Sequence, residues 1–262
     1  MSSLQLGYSV GRFMDPGAEV VRLERQADFV ADVEDQLLAT LGLPMAGRLL
    51  DLGCGPGAVA ARIRQRRPNL EVVGLDHDAG LLALARARLT PLRADAAVLP
   101  FAAQSFDAVH ARLVLRHLPR AAAALAEIRR VLRPGGRLIV VDSDDGSLVL
   151  HPQPEELARA LTAKHQTARR RGADPFIGRR LVELVDAAGF SALTVRAQVI
   201  DSGAVGRSTF AAVVLSPIAG AIDADLLPPA DQEQAAAAIR RWTEEPGAFG
   251  MTTVVRVGGT RD

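Results

Sequence analysis

One cysteine, one tryptophan and one tyrosine are all that this chain of 262 residues holds of those types, and aromatic residues make up only 4% of it. The lone Cys54 excludes an intramolecular disulfide and a multi-cysteine zinc site, and it suits a reducing compartment. With Tyr8 and Trp242 standing singly, a platform for stacking successive bases or sugars has little to be built from. A surplus of one charge is lacking too. Lys and Arg number 31 against 30 Asp and Glu, a formal net charge of +1, so no basic excess exists to displace counterions from a phosphate backbone. Long apolar runs are also missing: the uncharged stretch from Phe210 to Ile222 is broken by Ser216 and Pro217 and falls short of the roughly 20 residues a membrane helix needs. Met1 to Phe13 has neither the basic segment nor the apolar run of a signal peptide. These absences predict a cytoplasmic protein with no membrane span and no nucleic-acid partner. A small molecule remains as the expected partner, and a homodimer is left open.

What is present is ample core. Apolar residues are 48% and charged residues 23% of the chain, the balance of a folded globular protein. From Arg48 to Ser143, short apolar runs alternate with helical patterns, the sign of a parallel sheet wound with helices on both faces. Strands are predicted at Arg48 to Leu52, Glu71 to Asp76, Leu92 to Ala94, Phe106 to Ala111 and Arg137 to Asp142. Helices are predicted at Ala58 to Arg67, Ala79 to Leu89 and Arg120 to Leu132, the last closed by Pro134, Gly135 and Gly136. Upstream, Glu19 to Leu41 reads as one long helix, with Glu19, Arg22 and Gln26 on one face. Downstream, Pro154, Glu155 and Glu156 open a helix that ends in Arg169 to Arg171, read as a solvated helix end. Gly178 to Gly189 reads as a further helix. Leu193 to Ile200 and Met251 to Val257 read as strands extending the sheet, with a mostly helical stretch from Arg207 to Pro246 between them.

The richest local signal is Asp51-Leu52-Gly53-Cys54-Gly55-Pro56-Gly57-Ala58, a glycine loop that follows a strand and opens a helix. It lies at the carboxyl end of the sheet, where ligands of such folds bind. Gly53, Gly55 and Ala58 formally satisfy a dinucleotide fingerprint, and Asp76 lies where a ribose-binding carboxylate belongs. Asp51 points the other way: a carboxylate just before the loop repels a pyrophosphate and suits an ammonium.

Together with Val73-Gly74-Leu75-Asp76, Ala94-Asp95-Ala96, Leu99-Pro100-Phe101, Ser105-Phe106-Asp107 and Leu132-Arg133-Pro134-Gly135-Gly136, this loop resembles the class I S-adenosylmethionine-dependent methyltransferases. It looks most like the branch that includes quinone-biosynthesis enzymes (methyltransferase type 11). Glu19-x-x-Arg22-Leu23-x-x-Gln26 and Gly178-Arg179-Arg180-Leu181 resemble flanking pieces of bacterial members. The resemblance implies an α/β fold with a Rossmann-like seven-stranded methyltransferase sheet and S-adenosylmethionine as cofactor. It implies an N-terminal helical lid over residues 1–45, a cofactor-binding core over 46–145, and acceptor-side helices with the last two strands over 146–262. By resemblance, Gly53, Cys54 and Gly55 offer backbone to the methionyl part and Asp51 lies beneath its ammonium. Asp76 takes the ribose hydroxyls, His77 lies against the adenine, and Asp95 beside Ala96 binds its amine. Arg112 and Leu113 edge the methionyl group, and Arg22 and Gln26 join from the lid. His117 stands where relatives often carry a histidine, with Arg116 in place of a second one.

The remaining candidates divide by position. Asp107 begins a strand and is expected to be structural, as is Cys54, whose loop uses its backbone. His110, inside a strand, is expected to be a packed and hydrogen-bonded core residue. Asp142, Asp144 and Asp145 follow the fifth strand at the ligand end. His117 and Asp142 are the candidate catalytic bases, whereas His151 and His165 read as surface residues. No cluster shows metal-ligand spacing, so no metal is expected. The expected reaction is methyl transfer to an oxygen, nitrogen or carbon of a small biosynthetic molecule. Two alternatives stay open: a protein of this fold that binds the cofactor but acts as a cyclase or regulatory binder, and an RNA or protein methyltransferase.

Overall fold

The computed structural model describes residues 16–29, 31–218 and 222–262. Tyr8 and the rest of the first fifteen residues lie outside it, as does the side chain of Glu19. Seven strands form one sheet in the order β3-β2-β1-β4-β5-β7-β6: β1 (Ala46–Leu52), β2 (Asn69–Asp76), β3 (Thr90–Arg93), β4 (Phe106–Arg112), β5 (Leu132–His151), β6 (Phe190–Asp201) and β7 (Phe249–Arg261). The first five run parallel, and β7 lies antiparallel between β5 and β6. The chain order reverses between β1 and β4, the crevice where open α/β sheets bind ligands.

Helices cover both faces. One core packs α5 (Ala121–Val131) and α7 (Leu181–Ala187) on Leu50, Val109, Leu138 and Val257. The opposite core packs α2 (Ala31–Thr40), α3 (Ala58–Arg66) and α4 (Ala79–Ala85) on Leu49, Val72, Ala108, Ile139 and Val141. Consecutive residues of a strand point to opposite faces. Leu49 and Leu50, or Val140 and Val141, therefore serve different cores, and each central strand reads as a continuous apolar run. A third cluster joins α6 (Glu155–Arg170) and α10 (Pro229–Glu244), with Trp242 at its centre, to the segment from Phe210 to Ile218. Two short helices, α8 (Ser202–Val205) and α9 (Arg207–Phe210), lead into that segment, and its residues Ala211–Leu215 form one π-helical turn.

Several expectations change. The helix expected from Glu19 to Leu41 is described as α1 (Pro16–Phe29) and α2, with residue 30 outside the described residues. The fifth strand does not stop at Asp142; it runs on to His151 because β7 continues to pair with it as far as Phe249. The boundary drawn at residue 145 therefore falls inside a strand. Gly178 to Gly189 splits into a 3-10 turn over Ile177–Arg180 and α7. Among the described residues, no helix is long and apolar enough to cross a membrane.

Candidate active site

The glycine loop is fixed by what lies behind it. A Cβ on Gly53 would come within 2.2 Å of Val114, and one on Gly57 within 2.5 Å of Leu89. Both residues have positive φ, which only glycine adopts without strain. Gly55 is the exception, because a Cβ there would meet nothing within 4 Å. The loop is thus packed on one side and open on the other. Cys54 lies buried against Gly74, 2.9 Å from where a Cβ would be. Burial, with the charges of Asp51 and Asp76 adding, pushes its thiol pKa up, so the side chain is a packing element.

The loop's N–H groups are engaged internally. Gly53 and Cys54 both donate to the Leu75 carbonyl, at 2.6 and 3.0 Å, and Gly57 donates to Cys54. Gly55 donates to Asp76 Oδ2 at 2.9 Å. A pyrophosphate needs such donors free. What the loop presents to a ligand is acceptors: its carbonyls and the carboxylates around it.

Those carboxylates stand at successive strand ends and line one cavity of about 390 Å³. Asp51 is the penultimate residue of β1, is 3% exposed, and its Oδ1 lies 2.9 Å from His110 Nδ1. Asp76 closes β2 and accepts from Asp78 N as well as Gly55 N, with His77 Nδ1 3.4 Å away. Asp95 follows β3, accepts from Ala97 N and faces Arg120 at 3.4 Å. His77, Ala96, Arg112, Leu113, Arg22 and Gln26 line the same cavity. Leu113 holds a left-handed backbone (φ 55°) at the rim, uncommon for a residue with a side chain.

Helix α1 contributes Arg22, Leu23, Gln26 and Ala27 to the lining. Arg112 Nη2 reaches the Gln26 carbonyl at 3.3 Å while its Nε meets Glu34 of α2 at 2.9 Å. Arg22 Nη1 is 3.5 Å from the Val213 carbonyl in the π turn. Arg88 pairs with Glu24 at 2.8 Å, and Arg62 with Asp28.

Beyond the glycine loop the lining changes character. Leu148, Leu161, Val213, Val214 and Ile218 form apolar walls, joined by His117, Arg116, Lys164, Asp145 and Arg171. Arg116 and Lys164 converge on Asp145 at 2.7 and 3.0 Å, and His165 Nε2 lies 3.2 Å from it. Burial alone would raise the Asp145 carboxyl, but the Lys164 and Arg116 charges outweigh it and hold the pKa well below the usual range. Burial, then the charges of Arg116 and Lys164, push the His117 imidazole well below its ordinary value. His117 is therefore neutral at neutral pH.

Asp142 takes a place other than the one expected from sequence. It is fully buried and not among the residues lining the cavity. Its Oδ2 accepts from Arg116 N at 3.1 Å and its Oδ1 from Ser143 N at 3.0 Å. It thereby anchors the 3-10 turn Leu115–His117 that carries His117 into the cavity. Burial pushes its pKa up to about 6. With both oxygens turned to backbone donors and no face toward the acceptor space, it is a positioning residue.

His165, read as a surface residue, is drawn to Asp145 instead. Of the arginine triplet, Arg169 and Arg170 are exposed, as expected of a solvated helix end, with Arg169 over the Phe176 ring and Arg170 paired with Asp225, whereas Arg171 pairs with Asp223 and lines the cavity. His110 is packed and hydrogen-bonded as expected, and Asp107 bridges Arg133 and Arg48 N at the opposite end of the sheet. His151 is exposed. Lys164 and Arg256 carried no signal in the sequence, because a basic residue on a helix or strand reads as solvated until the fold covers it. Among the described residues, no group of His, Cys, Asp and Glu is arranged to hold a metal.

The seven-stranded sheet, with its glycine loop and strand-end carboxylates at one cavity, has the Rossmann-like fold of solved methyltransferases. Residues 50–140 match the family model described as "Methyltransferase domain". The ubiquinone/menaquinone biosynthesis C-methyltransferase UbiE of Dinoroseobacter shibae is 41% identical over 118 residues, covering 42% of this chain and 47% of that one. A trans-aconitate 2-methyltransferase of Methylobacterium radiotolerans is 37% identical over 158 residues, covering 59% of this chain and 58% of that one. The chain spans about half the length of the curated relatives it matches. Among solved structures, a Haemonchus contortus phosphoethanolamine N-methyltransferase in complex with S-adenosylhomocysteine shares the fold. Its TM-score is 0.57 at 18% identity, covering 88% of this chain and 52% of that one.

Proposed function

We propose that the protein transfers a methyl group from S-adenosylmethionine to a small-molecule acceptor. The observation that carries this is the acceptor-rich cradle: Asp51, Asp76 and Asp95 line one cavity around a glycine loop whose N–H groups are satisfied within the fold. Such a cradle suits an ammonium, a ribose diol and an exocyclic amine, and opposes a pyrophosphate. Gly55, open to the cavity, leaves room for the methionyl portion. Asp51, held by His110, faces the ammonium; Asp76, with His77 beside it, holds the ribose; Asp95 and Ala96 meet the adenine edge.

When bound, this cofactor supplies a methyl group already activated on a sulfonium. The chain's own contribution is then alignment and exclusion of water, with proton removal where the acceptor needs it. Helix α1 excludes water from above, tied down by Arg112 and Arg22. His117, neutral and facing the acceptor space, is the candidate proton acceptor, and Asp142 sets its position through the turn.

Calorimetric titration separates this reading from dinucleotide binding. S-adenosylmethionine and S-adenosylhomocysteine are expected to bind, and NAD to bind far more weakly. NAD affinity equal to or better than that of S-adenosylmethionine overturns the assignment.

A further inference from the structure

Arg256 sits on β7 with 2% of its surface exposed. Register brings it to the cavity floor: Arg112 pairs with Val141, and Val141 with Arg256. Paired residues share a face of the sheet. This row therefore lies on the face that carries Asp51 and His110, one pleat nearer the carboxyl ends, and all three of its residues line the cavity. Neither Nε nor Nη1 of Arg256 has a hydrogen-bond partner. The acid whose charge reaches it is Glu34, and Glu34 already lies 2.9 Å from Arg112 Nε. Two guanidiniums thus share one buried carboxylate. Burial lowers the Arg256 pKa, Glu34 opposes this and Arg112 adds to it, yet a guanidinium stays charged at neutral pH.

A buried cation with unused donors is costly to keep in a fold unless something completes it. Among the described residues, the excess around Glu34 is one positive charge. Elsewhere in the same cavity, Arg116 and Lys164 meet at Asp145 beside the apolar walls of Leu148, Leu161, Val213 and Ile218. We propose that the methyl acceptor is an anion, an apolar small molecule bearing a carboxylate, and that Arg256 binds that carboxylate through its open N–H donors. A single negative charge matches the excess at Arg256, whereas a phosphate monoester brings nearer two. The proposal rests on the methyl-transfer reading above, because it assigns the acceptor side of that site.

The test uses acid and amide pairs of equal shape, octanoate with octanamide and trans-cinnamate with cinnamamide, with phenyl phosphate as a third arm. Each is titrated into the protein saturated with S-adenosylhomocysteine. In at least one pair the acid is expected to bind about tenfold or more tighter than its amide, the scale of hydrogen bonds to a charged group, and tighter than phenyl phosphate. Arg256→Met removes that preference, while S-adenosylhomocysteine affinity, which also reports a folded variant, stays as in the wild type. Arg256→Lys, keeping the charge, retains part of the preference and carries the mutational test if the methionine variant does not fold. Acids binding no better than their amides, phenyl phosphate binding tightest, or an undiminished preference in Arg256→Met would each overturn the proposal. Failure of S-adenosylhomocysteine to bind the wild type is a different result, and it removes the methyl-transfer reading instead.

Discussion

At the scale of single residues, the site is governed by what each carboxylate already holds. Asp76 accepts from two backbone N–H groups, Gly55 and Asp78, so its replacement by alanine removes a ligand contact and also leaves two donors unpaired. Asp76→Asn keeps the shape and one acceptor. It is expected to weaken S-adenosylhomocysteine binding by about 1.5 to 3 kcal/mol, the scale of hydrogen bonds to a charged group, as read by calorimetry. Wild-type affinity in the folded variant would show that the ribose is held elsewhere. For Asp142, the folded pKa is raised from 3.8 to about 6 by burial. The folded state therefore holds the proton more tightly than the unfolded chain. The stabilising contribution is present in full below about pH 4 and is lost as pH rises through about 6, a loss of about 3 kcal/mol at one pKa unit per 1.36 kcal/mol. Urea unfolding of the wild type and Asp142→Asn from pH 4 to 7 should show the wild type losing stability relative to the variant across that window. A constant difference would mean that Asp142 titrates normally. His117, held neutral, should give no inflection near pH 6.5 in turnover. If it removes the acceptor's proton, His117→Ala lowers turnover by about 10²- to 10⁴-fold with cofactor affinity unchanged, and a fall of only a few fold excludes it as the base.

At the scale of elements, α1 lines the cavity, and none of its described residues belongs to the three buried clusters. Among its described residues, Ala27 is buried and apolar, and ion pairs and two carbonyl contacts also hold the helix. Exposed ion pairs contribute about 0 to 1 kcal/mol each, and a 14-residue helix is marginal by itself. Opening of α1 is therefore expected to cost less than unfolding the sheet. Hydrogen exchange should show the amides of α1 exchanging faster than those of α3 or α5, and slowing when S-adenosylhomocysteine is added. Exchange in α1 that ignores the ligand would place α1 outside the site. The elements most legible in sequence were β1, β2 and β4. Their apolar runs, bounded by turn residues, lie between two cores and admit no other placement. The segment from Phe210 to Ile218 was read as uncharged and as part of a mostly helical stretch; its folding into a π turn that walls the cavity depends on α6, α10 and α1 packing around it.

At the scale of the whole molecule, one sheet joins the two halves of the chain. β5 is paired on one side with β4 and on the other with β7 along most of its length, and Val257 of β7 is fully buried in the same core as α5. A chain cut after Asp145 would leave β5 as an apolar edge and expose Leu138, Val140 and Val141. Such a truncation is expected to aggregate, or to show no cooperative thermal transition by circular dichroism. A sharp transition in that fragment would show that residues 46–145 fold without the last two strands.

The sequence by itself determined the parallel α/β sheet, the glycine loop and the strand-end carboxylates Asp51, Asp76 and Asp95. All of these follow from local patterns: runs of apolar residues, glycines where φ is positive, acids at the ends of runs. Only the tertiary structure decided which charges the cavity keeps. Asp142 turned inward to hold a turn, Arg171 and Lys164 came off a helix face into the cavity, and Arg256 was carried there by β7 inserting antiparallel beside β5. The physical reason is that burial of a charge is set by what packs over it from distant parts of the chain. That depends on strand order and register, which no short stretch of sequence encodes.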